Sequence, residues 1–451
     1  MRPLLAALLF VAACGDNLAP PGPLDQDIAA RLARLPGVSV TEIAPDPQAP
    51  VGYRYFDLWF TQPIDHDDPG AGSYQQYAAL IHRGDDAPLV VYTSGYDAGR
   101  LRTPVEPTQL VDGTQLSIEY RFYGNSHPDV VDWTKLDLDQ AMADNHAIVE
   151  DLATIYPGVP RLATGASKGG ETALEHAFLY PADFDGVVAY VAPLITDLPD
   201  QRYATVTDDV GTAPCRTRVR ALAREMLVRR AAMESRAAAA DTFAIVGVPK
   251  AVETAIVEFE FSFWMTRGIG ACSQLPDPAA VDDDTLYYWL DYASSPSGYA
   301  DTATRTSGQQ YTLQFENQLG YPVWQHANLD DLMLFAYEDW SPFLPPGAQV
   351  HYDPTMVRAQ AAWAEHASEH VLFIDGEWDP WGPGYPQVAP GRDAFRLVVP
   401  QGSHWSTGIY SLTPTDQAIA LDALARWVGG PRARVVPAPL PLPQRATWRM
   451  P

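Results

Sequence analysis

The chain has 451 residues, of which 47% are hydrophobic and 19% are charged, so it can bury a large core and wholesale disorder is excluded. Its 30 Lys and Arg residues against 56 Asp and Glu residues give a net charge of −26, which repels nucleic-acid backbones and anionic membrane surfaces. We therefore expect no nucleic-acid partner. At about 150 residues per domain, the length fits one large domain or two to three smaller ones.

The first residues are typical of an exported protein. Arg2 precedes an apolar run over residues 4–13, which is too short to span a bilayer. Cys14 ends this run in the sequence V-A-A-C and a Pro-rich stretch follows, which predicts a lipoprotein signal with Cys14 as the lipidated residue. The alternative is an ordinary secretory signal. Both predict export, and we expect membrane contact only through an N-terminal lipid anchor.

Short apolar runs separated by turn and helix patterns predict a mostly parallel α/β sheet. Residues 53–60 and 74–82 predict an opening hairpin around a turn-rich loop. Helical patterns over residues 138–156 and 168–179 alternate with apolar runs, which is typical of a parallel sheet with helices on both faces. The runs that predict its buried strands are residues 88–92, 115–120, 161–164, 187–191, 371–374 and 395–399.

The alternation of strand and helix stops between residues 195 and 366. Helical stretches over residues 219–240 and 252–265 and several aromatic segments replace it, which predicts an inserted helical cap. The expected organisation is a signal peptide (1–14), a Pro-rich tether with an N-terminal helix (15–40), the first part of the core (41–194), the cap (195–366), the second part of the core (367–430) and a Pro-rich tail (431–451).

Cys215 and Cys272 are the two cysteines that remain after Cys14, and both fall in the predicted cap. So few cysteines in a chain of this length mean that the core does not depend on disulfides. An even pair in an exported chain nevertheless predicts one bridge between them. Two separate buried thiols are the alternative.

The sequence G-A-S-K-G at residues 165–169 is a G-x-S-x-G pattern at the junction of a predicted strand and a predicted helix. A sharp turn at such a junction holds the serine hydroxyl above the sheet, and small flanking residues relieve the crowding of the turn. The N-terminus of the helix also stabilises developing negative charge. We therefore predict that Ser167 is a nucleophile.

A serine nucleophile needs a general base and a carboxylate that orients this base, in the chain order Ser, acid, His. His404 follows the last predicted strand and Asp379 follows the strand before it, so we predict His404 as the base and Asp379 as the acid. Asp375 ends its strand and is expected to be a structural residue or a group at the rim of the site. An ordinary surface histidine is the alternative for His404. Histidines elsewhere show no defensible metal-ligand spacing, so no metal or other cofactor is expected.

Two backbone N–H groups are expected to bind the oxyanion that forms during acyl transfer. One is the N–H of Lys168, directly after the nucleophile. The other comes from Gly95 or Tyr96 in the loop after residues 88–92, where a glycine lets the backbone approach the reacting carbonyl closely. An ordinary strand-ending turn is the alternative interpretation of this loop.

Six short motifs spread over most of the chain carry a family resemblance. They are F-T-Q-P-I-D-H (60–66), I-E-Y-R-F-Y-G (118–124), G-A-S-K-G-G (165–170), Y-V-A-P (190–193), D-P-W (379–381) and G-S-H (402–404). In these motifs the chain resembles the secreted bacterial tripeptidyl-aminopeptidase family of serine peptidases, which is similar to prolyl carboxypeptidase and its dipeptidyl-peptidase relatives. Two positions depart from the family pattern. Glu171 stands where an apolar residue is usual, and Asp375 stands where a Tyr is usual.

The resemblance implies an α/β-hydrolase core with a helical cap, a Ser-Asp-His triad and the removal of short peptides from free N-termini. An exopeptidase of this kind must bind an ammonium group, and buried carboxylates do so best. Glu119 and Glu316 are weak candidates for this role, and Glu258 and Glu260 are further ones. The sequence therefore predicts a secreted serine exopeptidase with peptide substrates. An esterase or lipase, or a catalytically silent surface-binding protein with the same fold, are the alternatives.

Overall fold

The computed structural model describes residues 27–45, 50–98, 103–337 and 339–430. The predicted signal peptide with Cys14, residues 15–26 of the predicted tether and the predicted Pro-rich tail lie outside the described residues. Among the described residues, no helix is long and apolar enough to cross a membrane.

The strands of the described chain form a single twisted layer of nine, and all but the first were predicted to within three residues at each end. They are β1 (Val38–Ile43), β2 (Arg54–Pro63), β3 (Ser73–His82), β4 (Leu89–Thr93), β5 (Thr114–Ile118), β6 (Arg161–Ala166), β7 (Gly186–Tyr190), β8 (Val371–Gly376) and β9 (Ala394–Val399). Their order across the sheet is β1-β2-β3-β5-β4-β6-β7-β8-β9.

Pairing is antiparallel from β1 through β3 to β5, and parallel from β5 through β4 to β9. This mostly parallel sheet confirms the predicted α/β-hydrolase class. Strand β1 was not predicted and begins at Val38, inside the segment that we expected to be tether and helix. Its side chains are exposed or half-buried, so its apolar pattern is weaker than that of the central strands.

Helices flank both faces of this sheet, which is why its central strands are buried throughout. Within the described residues they are α1 (Ile28–Leu32), α2 (Glu106–Val111), α3 (Leu138–Ile155), α4 (Lys168–Leu179), α5 (Val206–Asp209), α6 (Ala213–Val228), α7 (Arg230–Ala240), α8 (Val248–Val257), α9 (Phe259–Thr266), α10 (Asp283–Ala293), α11 (Asp301–Ala303), α12 (Gln309–Gln314), α13 (Thr355–His366) and α14 (Pro414–Trp427). On β8, Phe373 packs in a cluster with Leu174 of α4, whereas Leu372 packs with Leu424 of α14.

The helices α5 to α12 and the segment that follows them as far as α13 lie between β7 and β8 and are called the helical insertion below. The two long helices predicted there are each divided, at Arg229 and at Glu258. The helix α13, which we placed in the cap from sequence, instead packs Ala364 in the same cluster as Leu174 of α4. The helix α13, which was not predicted as a helix, therefore covers the sheet beside α4.

The predicted disulfide is present within the helical insertion. Cys215 on α6 bonds to Cys272 in the turn Ile269–Gln274, with their Cα atoms 5.6 Å apart. The bridge spans 57 residues and joins α6 to the segment that follows α9. It therefore stabilises the insertion internally and makes no link to the sheet.

Candidate active site

Ser167 occupies a strained turn between β6 and α4. Its φ of 56° and ψ of −131° lie in a region that residues other than glycine rarely adopt. Its N–H donates to the Tyr190 carbonyl, and its carbonyl accepts the Glu171 N–H, both at 2.9 Å. A Cβ on Gly165 or Gly169 would lie 2.2 Å from a backbone oxygen, so both positions require glycine. The G-x-S-x-G pattern thus has a steric cause.

Asp379 and His404 form a buried pair. His404 Nδ1 lies 2.6 Å from Asp379 Oδ2. His404 is 7% exposed and Asp379 is 2% exposed. The Trp381 N–H donates to Asp379 Oδ1 at 3.0 Å, and the Tyr385 hydroxyl donates to Oδ2. A carboxylate that holds Nδ1 fixes the imidazole tautomer and leaves Nε2 as the nitrogen that can accept a proton.

The sheet brings the three predicted residues to one edge. Ser167 follows β6, Asp379 follows β8 and His404 follows β9, and these strands run parallel with β7 between the first two. Parallel strands end at the same edge of a sheet, which is where α/β proteins place their sites. The loops after β8 and β9 are also tied together, because the Trp378 N–H donates to the Gly402 carbonyl at 2.9 Å.

Asp375, near the end of β8, has a different environment from Asp379 in the loop after this strand. Its carboxylate pairs with Arg396 of β9 at 2.7 Å, and burial raises its pKa to about 7. An Arg partner on the neighbouring strand fits the structural role that we expected for Asp375.

The loop after β4 lies against the first turn of α4. A Cβ on Gly95 would meet the Gly169 nitrogen and the Lys168 carbonyl carbon at 2.7 Å, so only glycine permits this approach. The Tyr96 N–H donates to Ser94 Oγ at 3.0 Å, so a substrate oxyanion would compete with that hydroxyl for it. Of the three candidate donors, the Tyr96 N–H is therefore already engaged within the protein.

The Lys168 side chain turns away from solvent and under the same loop. Its Nζ donates to the Gly95 carbonyl and lies 3.8 Å from the centre of the Tyr120 ring. Burial lowers the pKa of Lys168 to about 7. The Lys168 side chain therefore fixes the loop that carries Gly95. Its backbone N–H is a separate group, the predicted oxyanion donor.

The predicted ammonium-binding carboxylates are engaged elsewhere. Glu119 accepts hydrogen bonds from the N–H groups of Ala98 and Asn125 and from the Ser126 hydroxyl, which makes it a structural carboxylate of this loop region and argues against the predicted role. Glu260 pairs with Arg220 at 2.8 Å. Glu316 is half-buried, and within the described chain no hydrogen bond or ion pair joins it to the residues at the sheet edge.

Glu258 is the most completely buried of these carboxylates. The hydroxyl of Tyr299 donates to its Oε2, and those of Tyr321 and Tyr337 donate to its Oε1 at 3.3 and 3.1 Å. Burial raises its pKa to about 7. With three tyrosine partners inside the helical insertion, Glu258 organises that region and offers little to a substrate.

Aromatic side chains from the insertion reach the sheet edge, which the sequence did not reveal. Tyr96, Tyr311, Tyr321 and Trp381 contact one another in that order, with ring centres 5.6, 6.4 and 6.5 Å apart. Trp381 also contacts Tyr203 at 6.0 Å and the imidazole of His404 at 6.4 Å. We call Tyr96, Tyr203, Tyr311, Tyr321 and Trp381 the aromatic wall.

Glu171 is the second feature that sequence reasoning undervalued. From the sequence it was noted only as a departure from the family pattern, whereas it is 7% exposed and its pKa is raised to about 8 by burial. Its position in the first turn of the helix that follows the nucleophile was the available signal.

One cluster of potential metal ligands occurs among the described residues. His146 Nδ1 and His176 Nε2 both lie within 2.8 Å of the same Asp183 oxygen, and the three ligand atoms are within 4.8 Å of one another. The Asp183 carboxylate already pairs with both imidazole rings, so the cluster is explained as a structural contact that joins α3 to α4.

Comparison with known proteins identifies related sequences over nearly the whole chain. Residues 21–448 match the family described as PS-10 peptidase S37. A protein named prolyl tri/tetrapeptidyl aminopeptidase, from Streptomyces mobaraensis, is 34% identical over 446 residues, which cover 95% of this chain and 92% of that protein.

Solved structures give a weaker likeness. A proline iminopeptidase from Mycobacterium smegmatis is 14% identical with a TM-score of 0.35, and covers 82% of this chain and 98% of its own. An α/β hydrolase from Novosphingobium aromaticivorans covers the same shares at 14% identity with a TM-score of 0.36. These scores are too low to support an argument, so the fold assignment rests on the order and direction of the strands.

Proposed function

The chain belongs to the PS-10 peptidase S37 family and is a serine peptidase, and from that premise we propose that it removes tripeptides or tetrapeptides from free N-termini. The observation that carries the mechanistic part is the buried Asp379–His404 pair at the edge where Ser167 occupies its strained turn. The related protein from Streptomyces mobaraensis, named for tri- and tetrapeptidyl release, supports the product length.

In the proposed mechanism, Ser167 Oγ attacks the scissile carbonyl carbon while His404 Nε2 accepts the hydroxyl proton. Asp379 holds Nδ1 and stabilises the imidazolium that results. The imidazolium then donates this proton to the leaving amine, which departs and leaves an acyl-enzyme ester on Ser167. A water molecule, deprotonated by His404, hydrolyses the ester and regenerates the hydroxyl.

The negative oxygen of each tetrahedral intermediate accepts hydrogen bonds from backbone N–H groups. We propose the Lys168 N–H, at the first position of α4, together with the Gly95 or Tyr96 N–H. Donors fixed before the reaction stabilise this charge without reorganising. The contact between the Lys168 ammonium and the Gly95 carbonyl supports this geometry, because it holds the loop against the helix.

Selection of chain ends follows from the helical insertion. Its Tyr311 and Tyr321 contact Tyr96 on one side and Trp381 on the other, so aromatic rings stand over the edge that carries Ser167 and His404. A site enclosed in this way admits a slim peptide terminus and excludes the loops of folded proteins. This enclosure supports an exopeptidase over an endopeptidase.

A pair of reporters tests the proposed function. We expect a tripeptidyl aminomethylcoumarin with a free amine to be cleaved at least about 100-fold faster than its N-acetylated form, because acetylation removes the charge that the site recognises. Mass spectrometry of digested peptides should show tri- or tetrapeptide products. Equal rates on both reporters, or internal cleavage of long peptides, would contradict exopeptidase action.

We further propose that the protein acts outside the cytoplasm, held by a lipid on Cys14. The N-terminal apolar run and the Cys215–Cys272 bridge support export, since disulfides persist in oxidising compartments. Labelling of cells with radioactive palmitate tests the anchor. A Cys14→Ser variant should lose the label, and its retention would contradict the lipid site.

A further inference from the structure

Glu171 is a buried carboxylate that lacks a partner. Its residue is 7% exposed, and among the described residues no hydrogen bond or ion pair engages its side chain. Its backbone is fully used, because its N–H donates to the Ser167 carbonyl and its carbonyl accepts from Gln360 Nε2 at 3.0 Å. Buried carboxylates ordinarily have partners, so a carboxylate without one in the first turn after the nucleophile is free to pair with a substrate group.

The position of Glu171 places its side chain close to the nucleophile. Glu171 lies in the first turn of α4, which Ser167 caps, and its N–H donates to the Ser167 carbonyl at 2.9 Å. Helical side chains tilt towards the N-terminus of their helix, so the Glu171 side chain leans towards the turn that carries the hydroxyl.

Three members of the aromatic wall lie close enough to this carboxylate for its charge to act on them. Burial raises the pKa of Tyr96, Tyr203 and Tyr311 well above the ordinary tyrosine value, and the charge of Glu171 raises each further. The rings of Tyr96 and Tyr311 contact each other at 5.6 Å. A carboxylate beside aromatic rings suits organic cations, because ring faces and the negative charge both attract them.

The neighbouring ammonium does not fill this role. Lys168 opposes the raised pKa of Glu171 through its charge, but its Nζ donates to the Gly95 carbonyl and stands over the Tyr120 ring. No ion pair between Lys168 and Glu171 occurs among the salt bridges of the described chain. The pocket retains an unmatched carboxylate, while the lysine is committed to the loop beyond β4.

The distance of each substrate cation from the scissile carbonyl, which Ser167 attacks, decides which one can pair with Glu171. The free amine of an extended tripeptide lies about 8–10 Å from the scissile carbonyl, at 3.3–3.6 Å per residue. The side chain of the residue that supplies this carbonyl, the P1 residue, begins one atom away from it. A long P1 side chain such as lysine or arginine therefore extends from the nucleophile towards the first turn of α4, and its methylene groups suit packing against tyrosine rings.

We propose that Glu171 is a specificity-determining residue and that the pocket between it, Tyr96, Tyr203 and Tyr311 binds a cationic P1 side chain, lysine or arginine. This inference rests on the proposed function, because it names the substrate class of the same site. The enzyme would release short peptides that end in a basic residue, whereas the name of the Streptomyces relative specifies a prolyl preference.

Matched tripeptidyl reporters test the inference. Ala-Ala-Lys and Ala-Ala-norleucine aminomethylcoumarins differ in the terminal ammonium while keeping the apolar stem. We expect the wild type to favour lysine at least about tenfold in kcat/KM, as expected for pairing a desolvated carboxylate. Glu171→Gln should lower this preference to about threefold or less, with the norleucine rate changed less than about threefold, since one charge is lost at constant shape. Glu150→Gln, which changes an exposed carboxylate on α3, should keep the wild-type preference.

The outcomes separate failure of the inference from failure of the proposed function. No lysine preference in the wild type, or an unchanged preference in Glu171→Gln, would overturn the inference while leaving the peptidase intact. If Glu171→Gln instead abolished discrimination against N-acetylated reporters, Glu171 would bind the substrate amine and the inference would be wrong. Turnover that survives Ser167→Ala would overturn the proposed mechanism itself.

A measurement on the wild type keeps the inference testable if the variant fails to fold. Butylguanidine should inhibit competitively, at concentrations at least about tenfold lower than its uncharged analogue pentanamide, because only the former pairs with the carboxylate. Equal inhibition by both compounds would contradict a cation-binding pocket.

Discussion

The edge of the sheet and the helical insertion treat their buried carboxylates in opposite ways. In the insertion, Glu258 accepts from three tyrosines, and Glu253 accepts from two backbone N–H groups and pairs with Arg230. At the sheet edge, Asp379 accepts from Trp381 and Tyr385 but also holds the imidazole of His404, and Glu171 has no side-chain partner within the described residues. Carboxylates bonded only to fixed groups hold structure together, whereas one that orients the base, or one without a side-chain partner, is available to chemistry and substrate.

The comparison predicts that substitutions of the catalytic residues at the sheet edge lower kcat without lowering folding stability. The largest effect is expected at the nucleophile. Ser167→Ala should lower kcat by about 10⁶-fold, because triad members act as one unit, and should leave the unfolding midpoint within about 1 °C. Steady-state kinetics and thermal denaturation on the same sample measure both. Substantial residual turnover would remove Ser167 from the mechanism.

Asp375 on β8 and Asp379 in the loop after it sharpen the contrast within the edge itself. Asp379→Asn should lower kcat by about 10⁴-fold through the wrong imidazole tautomer. Asp375→Asn should instead destabilise the fold by about 1–3 kcal/mol, because it leaves Arg396 without its buried partner, and should change kcat far less. The reverse pattern, with Asp375→Asn inactive and Asp379→Asn nearly normal, would reassign the acid.

In the insertion, the disulfide should matter for stability alone. Cys215→Ser with Cys272→Ser removes a crosslink over 57 residues, which lowers the free energy of unfolding by about 4 kcal/mol in the chain-entropy model. Denaturant unfolding with and without reductant measures the change. The wild type under reducing conditions should lose the same amount, and a variant as stable as the oxidised wild type would contradict the estimate.

Glu258 should make the stability of the insertion depend on pH. Its pKa is about 7 in the fold and near 4.5 when unfolded, so between these values only the folded state keeps the proton. This contribution is complete below pH 4.5 and is lost as the pH rises through 7, by about 3 kcal/mol at most. The side chain at this position in Glu258→Gln carries no charge at any pH, so its contribution does not change with pH.

The stability of Glu258→Gln relative to wild type should therefore increase between pH 5 and pH 8, as followed by denaturant unfolding at both values. Glu234→Gln, a carboxylate on α7 that is separate from the tyrosine cluster, serves as the control and should show no such increase. A constant difference between Glu258→Gln and wild type would show that Glu258 is ionised in the fold.

The parts that could be predicted from sequence are those encoded within one strand and the loop that follows it. Ser167, Asp379 and His404 each follow a buried apolar run, and parallel topology alone brings such positions together. The aromatic wall could not be predicted, because Tyr96, Tyr311 and Trp381 come from distant segments and meet only in the tertiary structure. The division at Glu258 was also hidden, since helical residues continue on both sides of it.

Fluorophosphonate labelling followed by peptide mapping tests the central claim, that the sheet edge performs the chemistry and the insertion supports it. The adduct should form on Ser167, with the labelling rate lowered at least about 100-fold in His404→Ala and changed less than about threefold in Glu258→Gln. An adduct on another residue, or a labelling rate that His404→Ala leaves unchanged, would contradict it.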